Sequence, residues 1–280
     1  MFRLSNLKDE DIRKMVARSK KIYKISEKKN SQVYLINDEY ILKKDVCRII
    51  KNEVFFINKY KNIIPCEEIV NYKNGGEYII YKFVKNNPSN LNKISIKEYL
   101  KNVIKLVSNY KSTEIKGYGR ISELCDTWKS FLEKEIEDKE KNLEIDKEKK
   151  MKVNRCINMI NKYKFQKKLL HGDLGFYNII FNKKNIELLI DPFPIIGDPL
   201  YDIIFFLFSR IKFTKLVQFE ELEKEMEEEK EKIRAMIYIQ LYIRILIEKK
   251  NNRDTVKEYE KIWRELEKSM HIWHWCMYGE

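Results

Sequence analysis

The chain is poor in the residues that punctuate or staple a fold. Its 280 residues include only 8 Gly, 5 Pro, 5 Cys and 3 His. So little Gly and Pro argues against long flexible linkers. The cysteines, Cys47, Cys66, Cys125, Cys156 and Cys276, are odd in number and no two form a Cys-x-x-Cys pair. That speaks against a disulfide framework and a zinc ribbon, and points to a reducing cytosol. Long apolar runs are missing as well. The most apolar one, Ala235 to Ile247, is too short to span a bilayer and is interrupted by Gln240 and Arg244, so it reads as a buried helix. Met1 to Asn6 offers no apolar signal core. The expectation is a cytoplasmic protein that makes no use of a membrane.

What the chain has in abundance is charge, with a formal net value of +13. Such a balance can mean a nucleic-acid partner. Here the lysines are spread along the whole chain and interleaved with glutamates, and no basic cluster with interleaved aromatics appears, so nucleic acid is not an expected partner. Hydrophobic content of 44% and aromatic content of 12% are globular values, and the length suits one large domain or two lobes.

One stretch organises the rest: His171-Gly172-Asp173-Leu174-Gly175-Phe176-Tyr177-Asn178, followed by Ile179-Ile180-Phe181. A second β-type segment, Ile186 to Ile190, follows the turn Asn182 to Asn185 and ends at Asp191-Pro192. The hairpin returns Asp191 to the neighbourhood of Asn178. An Asp, an Asn five residues on, and a second Asp after a short hairpin resemble the catalytic elements of kinase-like phosphotransferases. His-Gly-Asp in place of His-Arg-Asp, and Asp-Pro in place of Asp-Phe-Gly, make the chain similar to the aminoglycoside phosphotransferase and choline kinase-like family. The resemblance implies a base at Asp173, which takes the proton of an acceptor hydroxyl, and Mg²⁺ ligands at Asn178 and Asp191. It also implies ATP or GTP as phosphate donor and no mobile Phe switch after Asp191.

The same resemblance organises the first third of the chain. Lys21–Ile25, Gln32–Ile36 and Tyr40–Lys43 read as strands, Ile49 to Tyr60 as a helix, and Glu68–Tyr72 and Glu77–Val84 as two further strands. Five strands with one inserted helix match the small lobe of a kinase-like fold. Lys43 stands where the phosphate-clamping lysine belongs and Glu53 where its helix partner belongs. Lys44 is the rival, because a slip of one residue exchanges the strand faces. The turn Ser26 to Ser31 covers the phosphates in such a fold. It lacks glycine, which leaves backbone amides and the hydroxyls of Ser26 or Ser31 to meet phosphate. Phe83 and Val84 fall at the hinge that meets the nucleotide base. Lys85 to Asn90 is the most loop-like stretch. The lobes are expected at residues 1–84 and 93–280, joined by 85–92. A first helix, capped by Ser5 or Asn6, is expected to run to about Ser19.

The second lobe reads as mainly helical. Ser95 caps a helix to Tyr110, with Glu98 completing a capping box. Gly117-Tyr118-Gly119-Arg120 is a loop. Trp128 to Lys149 is a long charged helix broken near Asn142, and Met151 to Tyr163 is the next. In Gly197-Asp198-Pro199-Leu200-Tyr201-Asp202, Asp198 is a good helix cap and Asp202 a candidate to hold backbone amides of the catalytic loop, a supporting role shared with His171. Phe219 to Lys232 is rich in Glu. It is a tempting acidic pocket for a polycation, although a solvated helix is the plainer reading. Trp263 and the terminal Trp273 and Trp275 offer aromatic rings for an acceptor pocket or a quaternary ammonium. His271 and His274, at i and i+3, could reach one metal, but no third or fourth ligand is in register, so packing is the favoured reading.

The fold class expected is therefore α+β: a two-lobed kinase-like fold with a five-stranded antiparallel N-lobe and a mainly helical C-lobe. The activity implied is transfer of the γ-phosphate of ATP or GTP to a small hydroxylated acceptor, an aminoglycoside-like or other antibiotic. Choline, homoserine or sugar kinases of the same fold are the alternative, and a kinase fold that retains only binding is a reading from another class. A monomer or weak dimer is expected.

Overall fold

Alternating side chains and one tight turn build the first sheet. The structure is a computed structural model, and it describes residues 14, 16–27, 30–72, 75–85, 95–182, 185–216 and 219–269. Five strands, β1 (Ile22–Glu27), β2 (Gln32–Ile36), β3 (Tyr40–Lys44), β4 (Ile69–Tyr72) and β5 (Tyr78–Lys82), lie in the order β1-β2-β3-β5-β4 and pair antiparallel throughout. Asn37 and Asp38, with φ of 53° and 58°, close the β2–β3 hairpin. Two successive left-handed residues make the turn whose twist matches the strands, and Asn and Asp tolerate it. Register then follows, with Val33 opposite Lys43 and Ile36 opposite Tyr40.

Successive side chains of β3 go to opposite faces. Leu42 joins Tyr34, Ile36, Tyr78 and Ile80 on one side. Ile41 joins Ile79 and Tyr81 on the other, beneath helix α1 (Cys47–Tyr60), which contributes Ile50, Val54 and Ile57. Lys43 shares the α1 face, whereas Lys44 stands over the Tyr78 ring at 5.6 Å on the far side. The helix also buries Glu53, Phe56 and Tyr60 on this face. Its C-terminal Tyr60 accepts the Lys111 amide at 2.9 Å and donates to the Leu169 carbonyl, which ties the small lobe to the large one.

The large lobe is mainly helical. Its helices are α2 (Ile96–Ser108), α3 (Trp128–Glu140), α4 (Lys147–Ile160), α5 (Leu200–Phe208), α6 (Ile211–Leu216), α7 (Phe219–Glu225), α8 (Lys230–Lys250) and α9 (Val256–Ser269). Ser95 caps α2 by accepting the Glu98 amide at 3.2 Å. The apolar run expected as a buried helix is the middle of α8, which packs against α3, α4, α5 and α9. A helix apolar on all sides is stable only when other elements surround it. Each large apolar side chain buried this way contributes roughly 1.5–3 kcal/mol.

Two short sheets complete the lobe. Strands β6 (Gly119–Arg120), β7 (Lys168–Leu170) and β10 (Ile195–Gly197) order as β6-β10-β7, and β8 (Ile179–Asn182) pairs with β9 (Asn185–Leu189).

Several expectations need correction. The helix expected over Trp128 to Lys149 breaks near Asn142 as expected, but its last residues belong to the next helix, α4, which starts at Lys147 rather than at Met151. Asn142, at φ 66°, turns the chain out of α3, and Asp146 starts α4 by accepting the Lys149 amide at 3.1 Å. The Gly117 to Arg120 loop ends in strand β6, paired through Arg120 to Ile195. The Glu-rich segment is not one solvated helix. Glu221 and Glu225 face Lys97 and Lys101 of α2, and the buried Glu223 pairs with Arg234. Most of the helix expected from Ser5 or Asn6, most of the 85–92 linker, and the terminal His271, Trp273, His274 and Trp275 lie outside the described residues. Among the described residues, no helix is long and apolar enough to cross a membrane.

Candidate active site

The site forms where β7 ends. Gly172 takes φ 77°, a region L side chains disfavour, and a Cβ there would strike the Phe193 carbonyl. This turn carries the chain from His171 to Asp173. His171 is fully buried. In the neutral ring its Nε2–H donates to the Ile190 carbonyl at 3.1 Å, and Nδ1 accepts the Asp173 amide at 3.4 Å. Burial pushes its pKa down to about 4. From below, Asp202 accepts the amides of His171 at 2.9 Å and Gly172 at 3.1 Å, and the Tyr110 hydroxyl at 2.9 Å. The three donors fix the loop that presents Asp173.

Both oxygens of the Asp173 carboxylate are held. Oδ2 accepts Asn178 Nδ2 at 2.9 Å, and Oδ1 accepts the Tyr177 hydroxyl at 3.0 Å. Asn178 Nδ2 also donates to the Asp173 carbonyl at 2.8 Å, and a 3₁₀ turn, Phe176–Asn178, sets this five-residue spacing. With its nitrogen turned to Asp173, Asn178 has its amide oxygen on the opposite side. The β8–β9 hairpin pairs Ile179 with Leu189, and the Ile190 amide donates to the Asn178 carbonyl at 3.0 Å. Asp191 follows at once, at φ 53° and half-exposed.

From the small lobe, Lys43 Nζ donates to Glu53 Oε2 at 2.8 Å and to Asp191 Oδ1 at 2.7 Å. Glu53 is wholly buried and also accepts the Tyr81 hydroxyl. Burial works against the Lys43 charge, but the two carboxylates more than offset it, so the ammonium is held above the ordinary lysine range. Glu67 sits behind this cluster. Burial, with the charges of Glu53 and Asp191 adding, pushes its carboxyl well above the usual range. The loop that carries Glu67 is fastened to β9 by the Leu189 amide donating to the Pro65 carbonyl at 2.8 Å.

The oxygens of Asn178 and Asp191 suit a hard cation. Among the described residues no three His, Cys, Asp or Glu side chains gather as a metal cage. Two protein oxygens, completed by phosphate and water, are the donor set Mg²⁺ prefers.

A cavity of about 490 Å³ opens on the other side of Asp173. Tyr177, Phe193, Tyr201 and Phe205 supply its aromatic wall, and Arg120, Lys139, Arg244 and Arg253 are the cations that line it. Arg120 stacks on Phe193 at 4.7 Å.

The structure thus brings together Asp173, Asn178, Asp191, Lys43 and Glu53, with His171 and Asp202 in support. It does not join the other expected residues to them. Ser26 and Ser31 flank the β1–β2 turn, and among the described residues no hydrogen bond links either to the Lys43 cluster. The Phe83 amide donates to the Glu39 carbonyl at 2.7 Å, within the small lobe. Asp198 accepts the Leu200 amide at 3.0 Å at the start of α5 and is otherwise engaged with the buried Lys232 at 2.9 Å, away from Asp173. Trp263 does not line the cavity. It is buried in the core, edge-on to Tyr238 at 5.2 Å. Sequence reasoning missed Tyr177, Tyr81, Glu67 and the four cations. Only Tyr177, inside the motif, and Arg244, interrupting an apolar run, left a signal that could have been read.

No protein-family model matches the chain, and no curated protein matches its sequence. Solved structures do match its fold. A crystal structure of aminoglycoside phosphotransferase APH(4)-Ia superposes with a TM-score of 0.68 at 15% identity, over 91% of this chain and 97% of that one. The GDP and kanamycin complex of APH(2″)-IIIa gives 0.61 at 11% identity, over 92% and 97%. The streptomycin–ATP–APH(2″)-IIa ternary complex gives 0.59 at 17%, over 85% and 88%. The chain has the two-lobed, kinase-like fold of these phosphotransferases.

Proposed function

We propose that this chain is a phosphotransferase that moves the γ-phosphate of ATP or GTP to a hydroxyl of a small molecule. The observation that carries the reading is the position of Asp173. Its carboxylate stands between the 490 Å³ cavity and the cluster of Asn178, Asp191 and Lys43. An acceptor in the cavity gives its hydroxyl proton to Asp173. Its oxygen forms the bond to the γ-phosphorus while the bond to the β–γ bridging oxygen breaks, and the nucleoside diphosphate leaves with that electron pair. Bound Mg²⁺ supplies charge neutralisation on the phosphate oxygens, and Asn178 and Asp191 are its protein ligands. Lys43 meets the α- and β-phosphates, and Glu53 keeps it aimed. Residues 1–84 hold the nucleotide and residues 93–280 the acceptor. The hydroxyls of Ser26 or Ser31 meet the phosphates and Val84 borders the base.

The nucleotide-bound neighbours support the donor half of the reading. The aminoglycosides they hold make such molecules a first acceptor class to screen, beside choline, amino alcohols and sugars. The test is thermal unfolding with Mg²⁺ and ATP or GTP. A ligand that binds only the folded state raises the melting temperature by mass action, by about 2.7 kcal/mol of stability at a hundred times its dissociation constant. No shift with either nucleotide removes the reading.

A further inference from the structure

Among the described residues, the charges that line the acceptor cavity are mostly positive, and its carboxylates are already occupied. Glu135 is buried at 6% side-chain exposure, and it is shared by Arg120, which contacts one oxygen, and Lys139, 3.5 Å from the other. Glu248, behind the lining rather than in it, is buried at 3% side-chain exposure and is likewise shared by Arg244 and Arg253. Arg244 Nε lies 3.4 Å from its Oε1 and Arg253 Nη1 3.2 Å from the same oxygen, while Thr255 donates to Oε2. Four cations thus share two spent carboxylates. The remaining acid, Asp173, is the base itself, held by Tyr177 and Asn178. Arg244 is further anchored by donating to the Ser209 carbonyl at 2.8 Å. Arg253 is 57% exposed, and its Glu248 contact occupies one corner of its fork. Both guanidinium charges are felt at the Tyr177 hydroxyl, next to the base. The Glu-rich segment, which could have supplied an acidic wall, turns its carboxylates to Lys97, Lys101 and Arg234 instead.

We propose that the acceptor is a hydroxylated acid, carrying a carboxylate or phosphate that the Arg244–Arg253 wall receives while its hydroxyl meets Asp173. The inference rests on the phosphotransferase reading and deepens it. A planar guanidinium fork matches carboxylate and phosphate oxygens in pairs, and like charges facing each other in a partly enclosed site repel. A polycation would bring ammonium groups against four basic side chains, and among the described residues no free carboxylate lines the cavity to receive them. The aromatic wall takes the apolar face of the acceptor. The chemistry is the one given above: the acceptor O–H proton goes to Asp173, the new O–P bond forms, and the nucleoside diphosphate departs.

The experiment is an ADP- or GDP-release assay of the full chain with Mg²⁺ and nucleotide on three panels. The anionic panel divides into hydroxycarboxylates (glycerate, gluconate, pantothenate) and phosphorylated polyols (glycerol 3-phosphate, glucose 6-phosphate). The second panel is neutral (glucose, inositol) and the third polycationic (kanamycin, hygromycin B). Expected is the highest kcat/KM on one arm of the anionic panel, and the better arm tells carboxylate from phosphate. Arg253→Gln should raise KM for that acceptor by about tenfold with kcat changed by less than about threefold, the mark of lost binding rather than lost chemistry. Arg253→Glu should raise it further. A polycation or neutral molecule as the best acceptor overturns the inference and leaves the phosphotransferase reading standing. So does silence of the anionic panel in a protein that Mg²⁺-nucleotide still stabilises. Loss of that stabilisation as well overturns both.

Discussion

Lys43 Nζ donates to Asp191 Oδ1 at 2.7 Å although 148 residues separate them in sequence. The same ammonium reaches Glu53 at 2.8 Å, so one side chain joins the β-sheet, its helix and the loop after β9. Removing it leaves Glu53 charged and buried, which costs roughly 3–5 kcal/mol. Lys43→Ala is expected to lower the melting temperature steeply and to lose the shift given by Mg²⁺-nucleotide. Lys44→Ala, on the opposite face, should change stability by no more than about 0.5 kcal/mol. Since Lys43→Ala could fail to fold, Lys43→Met with Glu53→Gln removes both charges. That pair should restore folding and still fail to bind nucleotide by calorimetry.

Asp173→Asn removes the proposed base and keeps its shape. General-base assistance contributes about 10²–10⁴ in rate. Turnover should therefore fall by at least about a hundredfold, while the thermal shift with Mg²⁺-nucleotide persists, because the Lys43 cluster is untouched. Single-turnover measurements at saturating acceptor test this. Transfer at the parental rate would remove Asp173 from the mechanism.

His171 is buried neutral, with its pKa pushed down to about 4 from an ordinary 6.5. Between these values the unfolded chain takes up a proton that the folded chain refuses, so stability rises with pH across the window and is lost as pH falls through it. The full effect is roughly 3 kcal/mol. Burial moves Asp202 the other way, up to about 7, and that contribution falls as pH rises. The two nearly cancel in the parent. His171→Gln removes one of them. The stability of the parent relative to this variant should fall by roughly 3 kcal/mol from pH 7 to pH 4, measured by urea unfolding at each pH. Equal slopes in the two proteins would show that His171 takes up its proton in the folded state as readily as in the unfolded one.

How much of this was legible in the sequence depended on distance along the chain. Asp173, Asn178 and Asp191 belong to one turn and one hairpin, so local spacing fixed their meeting. The choice between Lys43 and Lys44 needed the sheet, because both sit at the end of one strand and only pairing with β2 and β5 decides which face each takes. The cavity beside Asp173 was not legible. Arg120, Glu135, Arg244 and Arg253 come from β6, α3, α8 and the loop after α8, and nothing local links them. Arg244 was visible as a fault in an apolar run. Its meaning, a charge aimed out of a buried helix into a cavity, required the packing of α8. Trp263 failed in the opposite way. A lone Trp on a charged helix suggested a pocket, and its ring is core.

Gly172 carries a prediction of its own. Its φ of 77° and the Phe193 carbonyl beside it leave no room for a methyl group. A non-glycine residue in this region costs of order 1–3 kcal/mol before any clash. Gly172→Ala should destabilise by at least that, and in whatever folds it should lower kcat more than nucleotide affinity, because Asp173 shifts and Lys43 does not. Paired steady-state kinetics and nucleotide calorimetry separate the two effects.

Lys232 tests the frame beneath the site. It is buried at 1% exposure, as is Asp198, whose Oδ2 lies 2.9 Å from its Nζ, and Glu228 is 2.7 Å away. Asp198 also accepts the Gln166 and Leu200 amides at 3.2 and 3.0 Å, so it holds the chain before β7 and the start of α5 together. Lys232→Ala strands Asp198 as a buried, unpaired charge and should cost roughly 3–5 kcal/mol. Lys232→Met with Asp198→Asn removes both charges, keeps the side-chain volume and lets the amide oxygen accept the two backbone donors. This variant should fold close to parental stability, since an apolar or neutral replacement of a buried pair is often tolerated. Denaturant midpoints of the single and double variants decide it. A double variant as unstable as the single one would mean that the ion pair itself, rather than the need to neutralise Asp198, holds β7 and α5 in place beneath Asp173.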